Sequence, residues 1–248
     1  HNHSDLVIKA LNKGKAVYVE KPLALDMQSI TDIEESIYRT ENPKLFIGFN
    51  RRFSKSAQFI KQKLINSPAN SINLRFSVPP LDSDHWTNIK EIGGGRIVGE
   101  AVHGIDLACY LFDSLPQSIS ASAPVDKTNN MVKDNQVFLN INFANGSHAS
   151  LQYFSEANQI LSKERIEVHG EGNSYILEDF KMLRFLEGSQ DRSKTFSTGK
   201  GHKESLSIFF DYVRDKSQNP FTWEEIKAVS KAAIIAQDHI NSGQQHNV

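Results

Sequence analysis

The chain has a single cysteine, Cys109, in 248 residues, so no disulfide can close within it and a reducing cytoplasm is the expected location. No apolar run approaches the ~20 residues that would cross a bilayer. The opening stretch HNHSDLVIKALNKGK is not a basic-then-apolar secretory signal. Neither charge is in excess: 28 basic and 29 acidic side chains give −1, which leaves no global field to attract nucleic acid or an anionic membrane. The pairs His1 with His3 and His85 with His103 lack the spacing of HExxH or CxxC sites, so no metal is assigned. There is no internal repeat and no low-complexity segment. What remains is 39% hydrophobic and 23% charged, the composition of a soluble globular protein long enough to bury a sizeable core.

Periodicity gives the outline. Leu6, Val7, Ala10 and Leu11 share one helical face, with Ser4 as the expected cap and Gly14 as the stop. AVYVE (Ala16–Glu20), broken by Pro22, reads as a buried strand. A second helix is expected from Asp26 to about Arg39, and a second buried strand at Leu45–Phe49. Helix, strand, helix, strand with short connections is the pattern of a parallel α/β sheet. After Phe53 the texture changes. A helix at 55–65 and a strand at 71–78 precede a glycine cluster and a helix over 101–112. Alternating runs then follow at 118–123, 136–143, 148–154, 165–169, 175–177 and 182–185. Turn signals such as Asn145-Gly146 and Gly170-Glu171-Gly172 between them fit an antiparallel meander. Helices at 203–215 and 224–240 close the chain, the last with an apolar stripe read as core packing. The expected fold class is α/β plus α+β: the tail of a parallel domain, then an open, mainly antiparallel sheet domain with helices on one face.

Two strands are too few for a parallel sheet standing alone. No G-x-G-x-x-G turn opens one, and no acidic residue follows at the usual distance of about 20 positions. Gly93, Gly94 and Gly95 precede a helix of the second unit instead. The expectation is therefore that an amino-terminal part is missing.

Three blocks carry a specific resemblance. GKAVYVEKPLAL (Gly14–Leu25) is similar to the GK-h-V-x-x-EKP-L-A signature of the glucose–fructose oxidoreductase and inositol dehydrogenase (Gfo/Idh/MocA) family. The helix before it matches the family pattern from His3 onward. FIGFNRRF (Phe46–Phe53) resembles the segment joining the two family domains, and residues 85–112 resemble its GGG…H-x-x-D block. The resemblance implies that residues 1–52 are the carboxy-terminal remnant of a dinucleotide-binding (Rossmann) domain and 53–248 an α+β substrate-binding and oligomerisation domain. It implies NAD or NADP as cofactor of the full-length parent, not held tightly by this chain alone, with His3, Glu20, Lys21 and Pro22 on the cofactor side. It implies a small sugar, nucleotide sugar or cyclitol as substrate, and a homo-oligomer formed through the sheet face.

In that scheme Lys21 and His103 are the catalytic pair. Hydride leaves a carbon only as the hydroxyl on it loses its proton, so an acid/base group must lie within hydrogen-bond reach. A lysine partly out of water shares a proton with a sugar oxygen, and an imidazole ordinarily titrates near neutral pH. The plainer alternatives are a surface lysine ending a strand and a helix histidine bonded to a neighbouring carboxylate such as Asp106.

The chain also departs from the commonest family pattern. Gly99 stands where many members carry aspartate, four residues before the histidine, and Glu100 follows it. Glu100 is a candidate replacement, but a one-residue shift on a helix turns a side chain by ~100°. Arg51 and Arg52 are candidates for substrate oxygens through bidentate contacts, or for a salt-bridged domain junction. Trp86 is a candidate to stack on a sugar ring, or a core residue. The three glycines either let backbone approach a ligand or serve a tight turn.

The leading expectation is an NAD(P)-dependent dehydrogenase or reductase as the full-length parent, with this chain alone inactive. The alternatives are a non-catalytic sugar-binding or oligomerisation module, and redox-neutral, NAD-dependent glycoside hydrolysis.

Overall fold

The computed structural model describes residues 2–66, 68–79, 94–124, 134–197 and 199–242. Helix α1 (His3–Leu11) buries Val7 and Leu11 and starts two residues earlier than its apolar pattern indicates. Ser4 lies inside it; Asn2 holds the cap position without a side-chain bond, so the expected Ser4 cap is not formed. Strands β1 (Val17–Val19) and β2 (Leu45–Ile47) pair in parallel, Tyr18 opposite Phe46. They are joined through α2 (Met27–Arg39), whose Asp26 cap accepts a bond from the Ser29 amide at 2.7 Å. A short 3-10 turn, Asn50–Phe53, leads to α3 (Lys55–Leu64), capped by Ser54.

The second sheet has eight strands: β3 (Ser71–Ser77), β4 (Pro116–Ser122), β5 (Gln136–Phe143), β6 (His148–Phe154), β7 (Glu164–Gly170), β8 (Asn173–Glu178), β9 (Met182–Glu187) and β10 (Gln190–Thr195). Their order is β10-β9-β8-β7-β3-β6-β5-β4. The sheet is not one continuous meander. Two antiparallel runs, β4 to β6 and β7 to β10, are joined by β3, which lies parallel to β6 and antiparallel to β7. Alternation sends Val137, Leu139, Ile141 and Phe143 of β5 inward and leaves Asn140 and Asn142 exposed. Strand β10 has no such alternation: all six residues of QDRSKT are exposed, and it exists because the turn at Gly188 folds it onto β9. Its cross-strand Arg184–Asp191 pair, 2.6 and 2.9 Å, charges an edge that would otherwise offer free backbone groups.

Helix α4 (Val102–Phe112) lies on the inner face, entered through a five-residue π turn, Ile97–Ala101. Gly104 allows the close approach: a β-carbon there would fall 2.2 Å from Leu151 Cδ1 and 3.2 Å from Phe76 Cζ. Of the last helices, α5 (His202–Val213) returns to the first sheet, and α6 (Trp223–Asn241) packs on β4 and α4 and reaches α2. Tyr18 stacks on Phe46, meets Phe209 edge-on and bonds Ser205 at 3.1 Å, tying α5 to β1. Trp223 and Lys227 both bond Glu34, tying α6 to α2. One apolar core runs through both sheets. Among the described residues, no helix is long and apolar enough to cross a membrane.

Candidate active site

The turn after β1 presents Glu20, Lys21 and Pro22. His3, from α1, fixes it by a 2.6 Å bond between its Nδ1 and the Pro22 carbonyl. Lys21 is half-buried, its ammonium directed away from bulk water into a close bond with the Gly99 carbonyl and a 3.1 Å ion pair with Glu100 Oε1. An ammonium has three N–H donors, and no third acceptor for this one lies among the described residues.

The π turn explains how Glu100 reaches Lys21. In a regular helix Glu100 would point ~100° away from the position before it. The wider turn, in which the Val102 amide bonds back to the Ile97 carbonyl, advances each residue by a smaller angle. Backbone oxygen of Gly99 and side chain of Glu100 then converge on one cation. Sequence spacing alone does not show this.

His103 follows on α4. It is 5% exposed, and its Nδ1 is buried without a partner among the described residues. Phe49 packs edge-on against the ring at 6.4 Å. Burial first, then the positive charges of Arg51, Lys21, His202 and Lys200, push its pKa well below the ordinary histidine value. The imidazole is neutral at pH 7. It is not bonded to Asp106, the carboxylate three residues on, because Arg52 takes that carboxylate at 2.5 and 3.2 Å.

Arg51 and Arg52 both lie in the buried 3-10 turn, each engaged by a carboxylate. Arg51 makes a two-bonded pair with Glu164 (2.7 and 2.9 Å), and Lys200 joins the same carboxylate. Burial alone would raise Glu164, but Arg51 and Lys200 more than cancel it and hold its carboxyl below the usual range. Burial pushes Asp106 up to about 6 against the pull of Arg52. Arg52 also lies over the Phe221 ring at 4.5 Å. These guanidiniums cross-link the turn to β7 and α4, the junction arrangement, and are not left open to a substrate. Trp86, with His1, His85 and Gly93, lies outside the described residues.

Two further residues reach the site from far along the chain. The backbone at 199–202 is pressed onto the 3-10 turn, where Asn50 Nδ2 bonds the Lys200 carbonyl at 2.6 Å and approaches His202 Nδ1 at 3.5 Å. Gly201 makes this possible: φ is +86°, and a β-carbon would fall 2.3 Å from the Asn50 carbonyl oxygen. Gly201→Ala is expected to cost about 2–4 kcal/mol in folding stability, from the left-handed backbone and the backbone clash. A chemical-denaturation midpoint measures it. An unchanged midpoint would mean that this contact is not made.

His103 gives a pH test. The unfolded chain takes up the histidine proton near pH 6.5, whereas the folded imidazole resists it until well below. The unfolded state therefore binds more protons in that window, and stability is lost as pH falls through it, by about 1.4 kcal/mol per pH unit. Asp106 acts in the opposite sense, because its raised carboxyl favours the folded state as it protonates below about 6. The comparison that isolates His103 is the wild type against His103→Asn. Below about pH 6 the wild type should lose stability on acidification more steeply, by that slope. Parallel curves would contradict a neutral, buried His103.

The fold and site define an arrangement: a parallel α/β unit whose Lys21 turn bonds the π turn that leads into the His103 helix, laid on an open mixed sheet. Comparison with known proteins agrees. Residues 68–176 match the model of the GFO/IDH/MocA C-terminal domain. The inositol 2-dehydrogenase of Rhizobium meliloti is 27% identical over 224 residues, 78% of this chain and 66% of that protein. The myo-inositol 2-dehydrogenase of Thermotoga maritima is 24% identical over 98% of this chain and 70% of its own length. The chain thus spans about two thirds of these curated relatives. The aldose-aldose oxidoreductase of Caulobacter crescentus superimposes with a TM-score of 0.83 at 15% identity, over 98% of this chain and 76% of its own. The family match thus covers residues 68–176, and the likeness to these oxidoreductases runs along most of the chain.

Proposed function

We propose that this chain carries the acid/base half of an NAD(P)-dependent oxidoreductase acting on a hydroxyl or ketone of a sugar, nucleotide sugar or cyclitol. The observation that carries the reading is a neutral, almost fully buried His103 that feels the charge of Lys21, with its Nδ1 unpartnered among the described residues. The names of the relatives, dehydrogenases of inositols and an oxidoreductase of aldoses, supply the substrate class.

The residues present fit the nicotinamide end of such a cofactor. Glu20 lies across Gly48, where any β-carbon would fall 2.7 Å from its Oε2, and His3 pins the Pro22 carbonyl. His3, Glu20, Lys21 and Pro22 would hold that end; the sequence contains no G-x-G-x-x-G turn for the phosphates. When bound, that cofactor would supply the acceptor for the hydride of the carbinol carbon.

The chain's own groups handle the proton. Neutral His103 takes the carbinol proton on its imidazole. Lys21, two of its N–H groups held by Gly99 and Glu100, gives the third to the substrate oxygen and offsets negative charge there. In the reducing direction an imidazolium so reluctant to keep its proton is a ready acid. Glu100, 39% exposed, orients Lys21 and links it to water. We further propose that the outer sheet face, where Phe138 of β5 meets Phe154 of β6, joins copies of the protein.

The test is reduction of NAD⁺ or NADP⁺ by the whole protein with a panel of cyclitols, sugars and sugar acids. Reduction with one or more of them is expected. No reduction with any, in a folded protein, would sink the reading.

A further inference from the structure

The glycines that open the π turn have a partner on the last helix. Gly95 has a φ of +90°, and a β-carbon there would fall 2.3 Å from Gln237 Oε1. The amide of Gln237, a residue of α6 that is 4% exposed, fills that place. Its Oε1 accepts the N–H of Ile97 at 3.2 Å, and its Nε2 faces the Asp134 carboxylate at 3.4 Å and Asn241 Oδ1 at 3.5 Å. Acceptors on the nitrogen side set which way the amide faces, so its oxygen is turned to Ile97. Ile97 is the first residue of the π turn and is fully buried. The first N–H groups of a helix have no partner within it, and a buried one must find an acceptor elsewhere. Gln237 is that acceptor, 140 residues along the chain.

The π turn is thus held at both ends. Gly104 seats α4 against Leu151 and Phe76, and Gln237 seats the entry. A ring closed five residues back holds one residue more than an α ring closed four back. With both ends seated, the extra residue stays in the turn, where it brings the Gly99 carbonyl and Glu100 onto the Lys21 ammonium. Released at its entry, the turn can pass that residue out and close as regular helix. Each residue of slip rotates Glu100 by ~100°, and Lys21 loses the pair that aims it. We propose that Gln237 is a positioning residue for Lys21, acting through the register of the π turn. This rests on the reading of Lys21 as the group that assists reaction at a sugar hydroxyl.

Two readouts on the whole protein test it. One is nitrogen-15 NMR of the lysine ammonium groups, with the Lys21 signal assigned by its loss in Lys21→Met; the other is steady-state kinetics. Gln237→Leu, of similar size but without an acceptor, should move the Lys21 signal toward that of solvated lysines. It should lower kcat about 10–100-fold, the scale on which a misplacement of about 1 Å acts, with KM for the sugar changed far less. Gln237→Glu keeps an oxygen for Ile97 and should keep both signal and rate. In a Lys21→Met background Gln237→Leu should cost nothing further, whereas a general loosening of the fold would slow both backgrounds alike. If Gln237→Leu does not fold, Gln237→Asn, a methylene too short to reach Ile97, carries the same expectations. An unmoved Lys21 signal in the folded variant, or an equal loss of rate with and without Lys21, would overturn the proposal. Absence of NAD(P)⁺ reduction by the wild type would sink the oxidoreductase reading alone, since the Lys21 signal still decides this one.

Discussion

Replacing Lys21 with methionine is expected to lower kcat by about 10²–10⁴-fold, the range that positioned acid–base groups supply. KM for the sugar should change far less, because the lost contact matters most when negative charge develops on the substrate oxygen. The fold should survive: the ammonium meets one carbonyl and one partly exposed carboxylate, and methionine keeps much of the aliphatic stem. Lys21→Arg should not restore the rate. A planar guanidinium cannot give up its proton and does not fit the geometry of a point charge held by a carbonyl and a carboxylate. Steady-state kinetics on the whole protein, with a thermal scan to show folding, settle the matter. A rate within a few-fold of wild type would place the chemistry elsewhere.

Glu164→Gln is expected to cost about 3–5 kcal/mol and to lower Tm on the order of 10 °C. The carboxylate is 1% exposed and neutralises Arg51, itself 9% exposed, as well as Lys200. An amide of the same shape leaves the Arg51 charge buried without compensation. A second change at the same pair, Arg51→Met, should recover part of the loss in the double variant, because an apolar side chain needs no counter-charge. Urea unfolding of the single and double variants measures both. A single variant within about 1 kcal/mol of wild type would show the pair to be solvent-relaxed and not structural.

Much of this architecture could be read before any coordinates. The strands from β5 to β9 announce themselves by alternation, and α6 by its apolar stripe. Strand β10 does not, because its residues face water on both sides and only the turn at Gly188 and the pairing to β9 hold it. The place of β3 between β6 and β7 is likewise invisible: its pattern fixes which face is wet but not which neighbours it takes. Lys21 and His103 stand out in the sequence because motifs surround them. Lys200, His202 and Asn50 do not, since they meet only through a loop contact spanning 150 residues. Arg51 and Arg52 are conspicuous as a pair, but their partners lie 113 and 54 residues away, and only the folded chain shows that both are engaged. Glu100 is the most instructive case. Counting on a regular helix turns it away from Lys21, and the π turn brings it back.

The central claim is that His103 is a neutral, buried imidazole that meets the substrate. Nitrogen-15 NMR of the histidine ring tests it most directly. The ring should stay neutral as pH falls through the ordinary histidine range, and addition of a sugar that binds should shift its nitrogen signals. A ring that titrates with an ordinary midpoint of about 6.5, and whose nitrogen signals ignore every sugar that binds, would contradict the account.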